Sequence, residues 1–158
     1  MRKNGYGKGV WNTSLSNNYA RSYIDNWFNG DYKNILSPPL QSMIGTTTFR
    51  YTPNYRGDVT TLSRSVFTLS VAELGRMGDA GAQGHANTEG TTLPIASTLL
   101  LLSDTYWTRT PDTEERYYAF GIFNPYAQWQ TVDTSYFYRP IFTLPSAALV
   151  DSDLALVE

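Results

Sequence analysis

Three groups of residues in this 158-residue chain have the types and spacing for chemistry. The single histidine, His85, lies in Gly84-His85-Ala86-Asn87, and a metal site or a Ser/His/Asp triad would have to run through it. A Gly/Ala loop positions such a group poorly, so His85 reads as a solvated loop residue. Asp112, Glu114 and Glu115 are close enough for the paired carboxylates of glycoside hydrolysis. They follow a strand pattern, however, where adjacent acids make a solvated turn and Arg116 can neutralise one of them. Arg109 and Arg139 each sit beside a proline and aromatics, a setting that could grip a carboxylate or phosphate. The structural reading is preferred, because a planar guanidinium satisfies several buried carbonyls and stacks on rings such as Trp107 and Tyr138. Asp151, Asp153 and Glu158 lack the spacing of a calcium site, which takes about six to eight oxygens. With no cysteine, disulfides, thiolate zinc and cysteine catalysis are excluded. No cofactor or metal is expected, and the chain reads as a binding protein, not an enzyme.

The binding signal lies between two aromatic-Arg-Pro signatures, Tyr106-Trp107-Thr108-Arg109-Thr110-Pro111 and Tyr138-Arg139-Pro140. Tyr117, Tyr118, Phe120, Phe123, Tyr126, Trp129, Tyr136 and Phe137 crowd the segment 112–137, interrupted by the turn pair Asn124-Pro125. Tyr and Trp offer large, stiff contact area with a polar tip, which recognition surfaces favour. The expected ligand-binding set is Tyr117, Tyr118, Tyr126, Gln128, Trp129, Gln130, Asp133 and Tyr136. Flat rings suit sugar faces, and the amides and carboxylate suit hydroxyls. Strand alternation turns about half of such a segment inward, and Phe120, Ile122 and Val132 take those places. The frame that fixes the segment is Trp27, Trp107, Arg109, Pro111, Arg139 and Pro140.

The positioning elements follow from composition and pattern. Apolar content is 41% and charged content 16%, with Tyr, Thr, Ser and Asn supplying polarity, as in surface-binding proteins. A net charge of −2 gives no footprint for nucleic acid. The longest apolar run, Leu93 to Leu102, is too short to span a membrane, and Met1 to Gly5 has no apolar signal segment. Residues 1–18 read as an extended arm, 19–146 as one domain and 147–158 as a tail that docks on a neighbour. Asn17 or Asn18 caps a helix over about Tyr19 to Phe28, with Tyr23, Ile24, Trp27 and Phe28 on one face and Asn29-Gly30 as its stop. Pro39 opens a second short helix to Ile44. Strands are expected at Thr46 to Thr52, Ser65 to Ser70, Tyr106 to Thr110, Tyr117 to Phe123, Ala127 to Val132 and Tyr138 to Leu144. Val71 to Gly75 makes one helical turn, and Gly78 to Thr92 a long loop.

Four segments in order carry a resemblance. They are Trp11 to Ser14 with Tyr19 to Asn29, then Val66 to Gly75, Tyr106 to Pro111, and Tyr138 to Pro145. Together they resemble a domain family widespread in phages and prophages of Gram-positive bacteria, distantly similar to the C-type-lectin and formylglycine-generating-enzyme fold group. The resemblance implies an α+β, C-type-lectin-like fold: a small twisted antiparallel sheet, two short helices and long loops. It also implies that the stretch between the two Arg-Pro signatures is the changeable, receptor-selecting part. The formylglycine chemistry needs cysteines, and the calcium-dependent sugar motifs (Glu-Pro-Asn, Gln-Pro-Asp, Trp-Asn-Asp) do not occur. Relatives carry further β-segments ahead of the Trp11 region, so either this is a trimmed member or another subunit completes its sheet.

The expected function is thus a non-catalytic virion-surface protein (fibre, head decoration or tail-associated module) that binds a host-cell surface glycan or protein. It is made in the infected cytoplasm and released by lysis. Other virion proteins are expected partners, and a homo-oligomer, a trimer before a dimer, would cover the open sheet edge. The alternatives are a purely structural decoration or assembly protein and a cell-wall polysaccharide hydrolase.

Overall fold

The computed structural model describes residues 7–76, 89–100, 104–123 and 126–146. His85, the tail 147–158 and most of the Gly78–Thr92 loop lie outside the described residues. Strands β1 (Lys8–Val10), β4 (Tyr106–Pro111), β5 (Tyr118–Phe123), β6 (Tyr126–Thr131) and β7 (Ser135–Phe137) form one five-stranded sheet, ordered β1-β7-β4-β5-β6. Strands β2 (Thr47–Tyr51) and β3 (Thr60–Arg64) form a separate antiparallel hairpin. The domain is α+β. The expectation of a purely antiparallel sheet is corrected at one ladder: β7 pairs parallel with β4 at Tyr106↔Phe137, so the sheet is mixed. Residues 8–17, assigned to an arm in the sequence reading, supply β1 and the buried Trp11, Asn12 and Asn17.

Helix α1 runs for 13 residues, 23–35, as an α-helical turn, a π-helical turn at Phe28–Tyr32 and a last turn at Lys33–Ile35. It differs from expectation at both ends. The cap is Ser22, whose hydroxyl accepts from Asp25 N–H at 3.0 Å, while Asn18 caps nothing. Residues 19–21 form a preceding 3₁₀ turn. Asn29-Gly30 does not stop the helix, because the Asn29 amide is engaged elsewhere: it donates to Val66 O at 2.9 Å and accepts from Val66 N–H at 3.2 Å. The inward face is Ile24, Phe28 and Tyr32, whereas Tyr23 is 51% exposed. The second helix, α2 (Pro38–Met43), opens on proline as expected.

That side-chain pairing bears on the largest difference between the expected and observed secondary structure. The segment 65–70 is buried and apolar like a central strand, yet makes only a single bridge, Phe67↔Ile141. Its backbone groups are satisfied mostly by side chains, as burial demands. Asn29 serves Val66, and the Tyr19 hydroxyl accepts from Thr68 N–H at 3.2 Å. Arg109 Nη1 donates to Thr68 O at 2.8 Å, and Thr110 Oγ1 accepts from Val71 N–H at 3.0 Å. The strand expected at Tyr138 to Leu144 likewise reduces to the Ile141 bridge, with β7 ending at Phe137 just ahead of Pro140. Val71 to Gly75 is a turn ended by Gly75 at φ +67°, where a side chain is disfavoured.

One core joins all layers. Trp11 packs edge-on against Trp107 (5.7 Å between centroids) and Tyr19 (6.0 Å). Trp27 lies among Phe28, Tyr32 and Tyr138. Leu99 and Leu100 of helix α3 (Ala96–Leu100) are buried in the same core.

Candidate functional site

Two regions lie around β4 and β5, a buried polar frame and an exposed aromatic corner. In the frame, all six residues of β4 are buried and the ladder to β5 shifts register between Trp107 and Pro111. Arg109 is 0% exposed, and its guanidinium is fully engaged. It forms a fork on Glu73 (2.5 and 2.8 Å) and donates to the carbonyls of Arg50 (3.1 Å), Thr68 (2.8 Å) and Glu89 (3.3 Å). Its ring partner is Phe49 at 4.4 Å, not Trp107. Arg139 stacks on Tyr106 at 4.5 Å, not Tyr138, and pairs with Asp104 at 3.4 Å. Both arginines therefore spend their charge on the protein. Trp107 and Pro111 are buried in the same frame, Pro140 and Trp27 partly so.

Glu89 is 1% exposed, and no sequence signal marked it. Its carboxylate accepts from Thr52 N–H at 2.7 Å and the Thr110 hydroxyl at 2.5 Å. Burial raises its pKa above the ordinary carboxylate value, opposed mainly by Arg109. A carboxyl with a raised folded pKa holds its proton more tightly folded than unfolded. The Glu89 contribution to stability is therefore fully present below the ordinary carboxylate pKa and is lost as pH rises from there through the raised value. In Glu89→Gln this decline should flatten. Urea midpoints measured across that pH window check it; Asp25, raised by burial as well, keeps part of the slope in the variant.

Asn17 ties the frame to the next loop. Its amide nitrogen lies 2.9, 3.1 and 2.8 Å from the carbonyls of Asp112, Glu115 and Tyr118, and its oxygen accepts from Tyr55 N–H at 3.0 Å. The Asp112 carboxylate accepts from the N–H groups of Glu114 (2.7 Å) and Glu115 (3.0 Å), so it shapes a turn. Glu114 and Glu115 are exposed beside it. Asn17→Ala removes the partner that Asn17 gives to the Asp112 carbonyl and the Tyr55 N–H and should cost about 1–3 kcal/mol, read as a lowered urea midpoint.

The eight residues expected to bind ligand are brought to one end of the sheet but not to one face. Residues directly opposite in an antiparallel ladder share a face. The register Phe120↔Trp129 and Tyr118↔Thr131 puts Tyr118 and Trp129 on one side. Gly121↔Gln128, Ala119↔Gln130 and Phe123↔Tyr126 put Tyr126, Gln128 and Gln130 on the other, where the Tyr136 hydroxyl donates to Gln130 Oε1 at 3.1 Å. Phe120, Ile122 and Val132 are buried as expected, but not through alternation, since Ala119 to Ile122 are buried in succession on both faces of β5. Trp129 is 49% exposed although its opposite neighbour Phe120 is buried, and it meets Tyr118 edge-on at 4.7 Å. Tyr117, 40% exposed, lies beside this corner with Arg116 over its ring at 4.9 Å. Tyr126 (56%) is exposed on the opposite face and Asp133 in the β6–β7 turn.

A shallow polar cleft of about 540 Å³ lies elsewhere, against the π-helical turn. Its floor is the ion pair between Arg64 Nε and Asp25 (2.8 and 2.9 Å). Among the described residues no three His, Asp or Glu side chains cluster to hold a metal ion, and no helix is long and apolar enough to cross a membrane.

Fold and frame together define an α+β domain organised around a buried arginine beneath a partly exposed aromatic sheet end. The chain belongs to the family described as a domain of unknown function (DUF6273), whose model matches residues 1–146. No curated protein and no solved structure matches it.

Proposed function

We propose that this chain is a non-catalytic, C-type-lectin-like protein of a phage virion surface that attaches to a host-cell glycan or protein. The observation that carries the reading is the Tyr118–Trp129 corner. A half-exposed tryptophan stands edge-to-face with a tyrosine on a face where Phe120 and Ile122 are buried. Such a corner offers a flat indole and a tyrosine ring inclined at 60° to it, which suits the apolar face of a pyranose ring. The contact set is then Tyr118 and Trp129 on one face, with Tyr117 in the turn just ahead of β5. Tyr126, Gln128, Gln130 and Tyr136 form a separate surface on the other, and Asp133 lies between them on the turn. The four ordered sequence segments support the lectin-like and virion assignment; the buried frame supports a scaffold that holds the corner rigid. Binding of the purified chain to host cells and to a panel of host wall glycans tests it. Retention on host cells that is lost on altering the corner is the expected result. Turnover of wall polysaccharide dependent on Glu114 or Glu115 would replace this reading with the hydrolase.

A further inference from the structure

Helix α1 runs straight through Gly30, which leaves that glycine without the helix-stopping role its sequence context suggests. Its backbone is not left-handed, since the positive-φ glycines among the described residues are Gly7 and Gly75. A Cβ built on Gly30 meets no atom within 4 Å. Glycine inside a helix is destabilising relative to alanine, so neither backbone geometry nor packing accounts for it here. Gly30 does line the polar cleft of about 540 Å³, a volume within the roughly 300–1,000 Å³ of small-molecule sites. A missing side chain at that place keeps the cleft open and lets a ligand approach the main chain. The turn that carries Gly30 is a second pointer, since π-helical turns inside α-helices recur at functional sites.

The lining selects the chemistry of the ligand. Asp25 is 3% exposed, and its two oxygens already accept from Arg64 Nε at 2.8 and 2.9 Å, one of them also from the Asn29 amide at 3.3 Å. The carboxylate is therefore not open to an ammonium group, and the charge it cancels on Arg64 removes the attraction for a phosphate. Arg64 Nη1 donates to Ser63 O at 3.0 Å. Arg64 Nη2, the Asn26 side-chain amide and the Thr46 hydroxyl line the cleft and make no hydrogen bond among the described residues. Together they offer a planar donor, an amide that donates and accepts, and a hydroxyl that does both. An apolar ligand would cover these groups without satisfying them. Neighbouring hydroxyls, each a donor and an acceptor, match them.

We propose that this cleft is a saccharide site, in which the hydroxyls of a neutral sugar ring bond to Asn26, Thr46 and Arg64 while the ring lies against Gly30. The ion pair with Asp25 holds Arg64 in place beneath it. The site shares no residue with the Tyr118–Trp129 corner and does not rest on the attachment reading.

Titration of the full chain with glucose, galactose and N-acetylglucosamine, followed through the amide NMR signals of Asn26, Gly30 and Ser65, tests the assignment. At least one sugar should shift these signals with a Kd of roughly 1–10 mM, the range for one ring in a shallow site. Gly30→Leu should weaken the response by about tenfold or more, with a urea midpoint at or above that of wild type. Asn26→Ala, at an exposed position, should weaken it severalfold without unfolding the chain, and Trp129→Ala should leave it unchanged. No response to any of the sugars up to about 100 mM, or an undiminished response in both Gly30→Leu and Asn26→Ala, overturns the proposal. So does a shift of the same signals by inorganic phosphate as large as by sugar, or a lowered midpoint in Gly30→Leu, which would give the glycine a structural reason. Binding lost in Trp129→Ala but kept in Gly30→Leu would assign the sugar to the corner instead, so the two readings fail separately.

Discussion

Replacing Arg109 with methionine should lower the folding stability by about 3–5 kcal/mol, the scale for breaking a buried ion pair by removing one partner. Methionine keeps much of the stem, so the loss is polar, not a cavity. Glu73 loses a fork at 2.5 and 2.8 Å, and the carbonyls of Arg50, Thr68 and Glu89 lose a shared donor. Phe49 loses the cation stacked on it at 4.4 Å. Glu89 loses the positive charge that opposes its desolvation, so its pKa rises further and the decline of stability with rising pH widens. Arg109→Lys keeps the charge without the planar fork and should fall between the two. For a domain of this size the methionine variant should melt roughly 6–20 °C lower, at about 2–4 °C per kcal/mol. A urea titration placing it within 1 kcal/mol of wild type would show that the guanidinium is not the frame's centre.

Why the sequence disclosed some of this and not the rest has a physical answer in particular residues. Helix α2 and strands β2, β4, β5 and β6 are governed by local signals, a proline at a helix start or alternation in Thr and aromatic runs, and they appear within a residue or two of expectation. The arginine roles were legible because a guanidinium beside proline and aromatics has few other uses inside a protein. Their ring partners were not, since Phe49 is 60 positions from Arg109 in sequence. The segment 65–70 departs from a strand because side chains take many of its backbone bonds: Asn29, Tyr19 and Arg109 serve Val66 and Thr68 where a neighbouring strand would. Asn17 and Glu89 escaped for the same reason. Nothing near either residue in sequence announces that its amide or carboxylate is enclosed by distant backbone. At the candidate site, Phe120, Ile122 and Val132 are buried as expected, but alternation is not the reason, since four successive residues of β5 are buried. Nor could alternation say which exposed ones share a face, because that depends on the β5–β6 register.

That register makes Trp129→Ala the discriminating substitution for attachment. Central aromatic anchors at interfaces are typically worth about 2 kcal/mol or more on truncation, which corresponds to roughly thirtyfold in affinity. Affinity of the purified chain for host cells or an isolated wall glycan should fall by at least that factor. The fold should tolerate the change. Trp129 is 49% exposed, and its ring contact with Tyr118 at 4.7 Å is worth roughly 0.5–1.5 kcal/mol. Phe120, opposite in the ladder and 1% exposed, supplies the contrast: Phe120→Ala should cost about 3–5 kcal/mol as a core truncation. Tyr126→Ala, on the other face, should leave attachment nearly unchanged if the Tyr118–Trp129 corner is the site. Loss of binding in the Tyr126 variant but not the Trp129 variant would move the site across the sheet. Equal loss in both, with wild-type stability, would require a ligand that wraps the sheet end, as an extended protein segment can and a single sugar ring cannot.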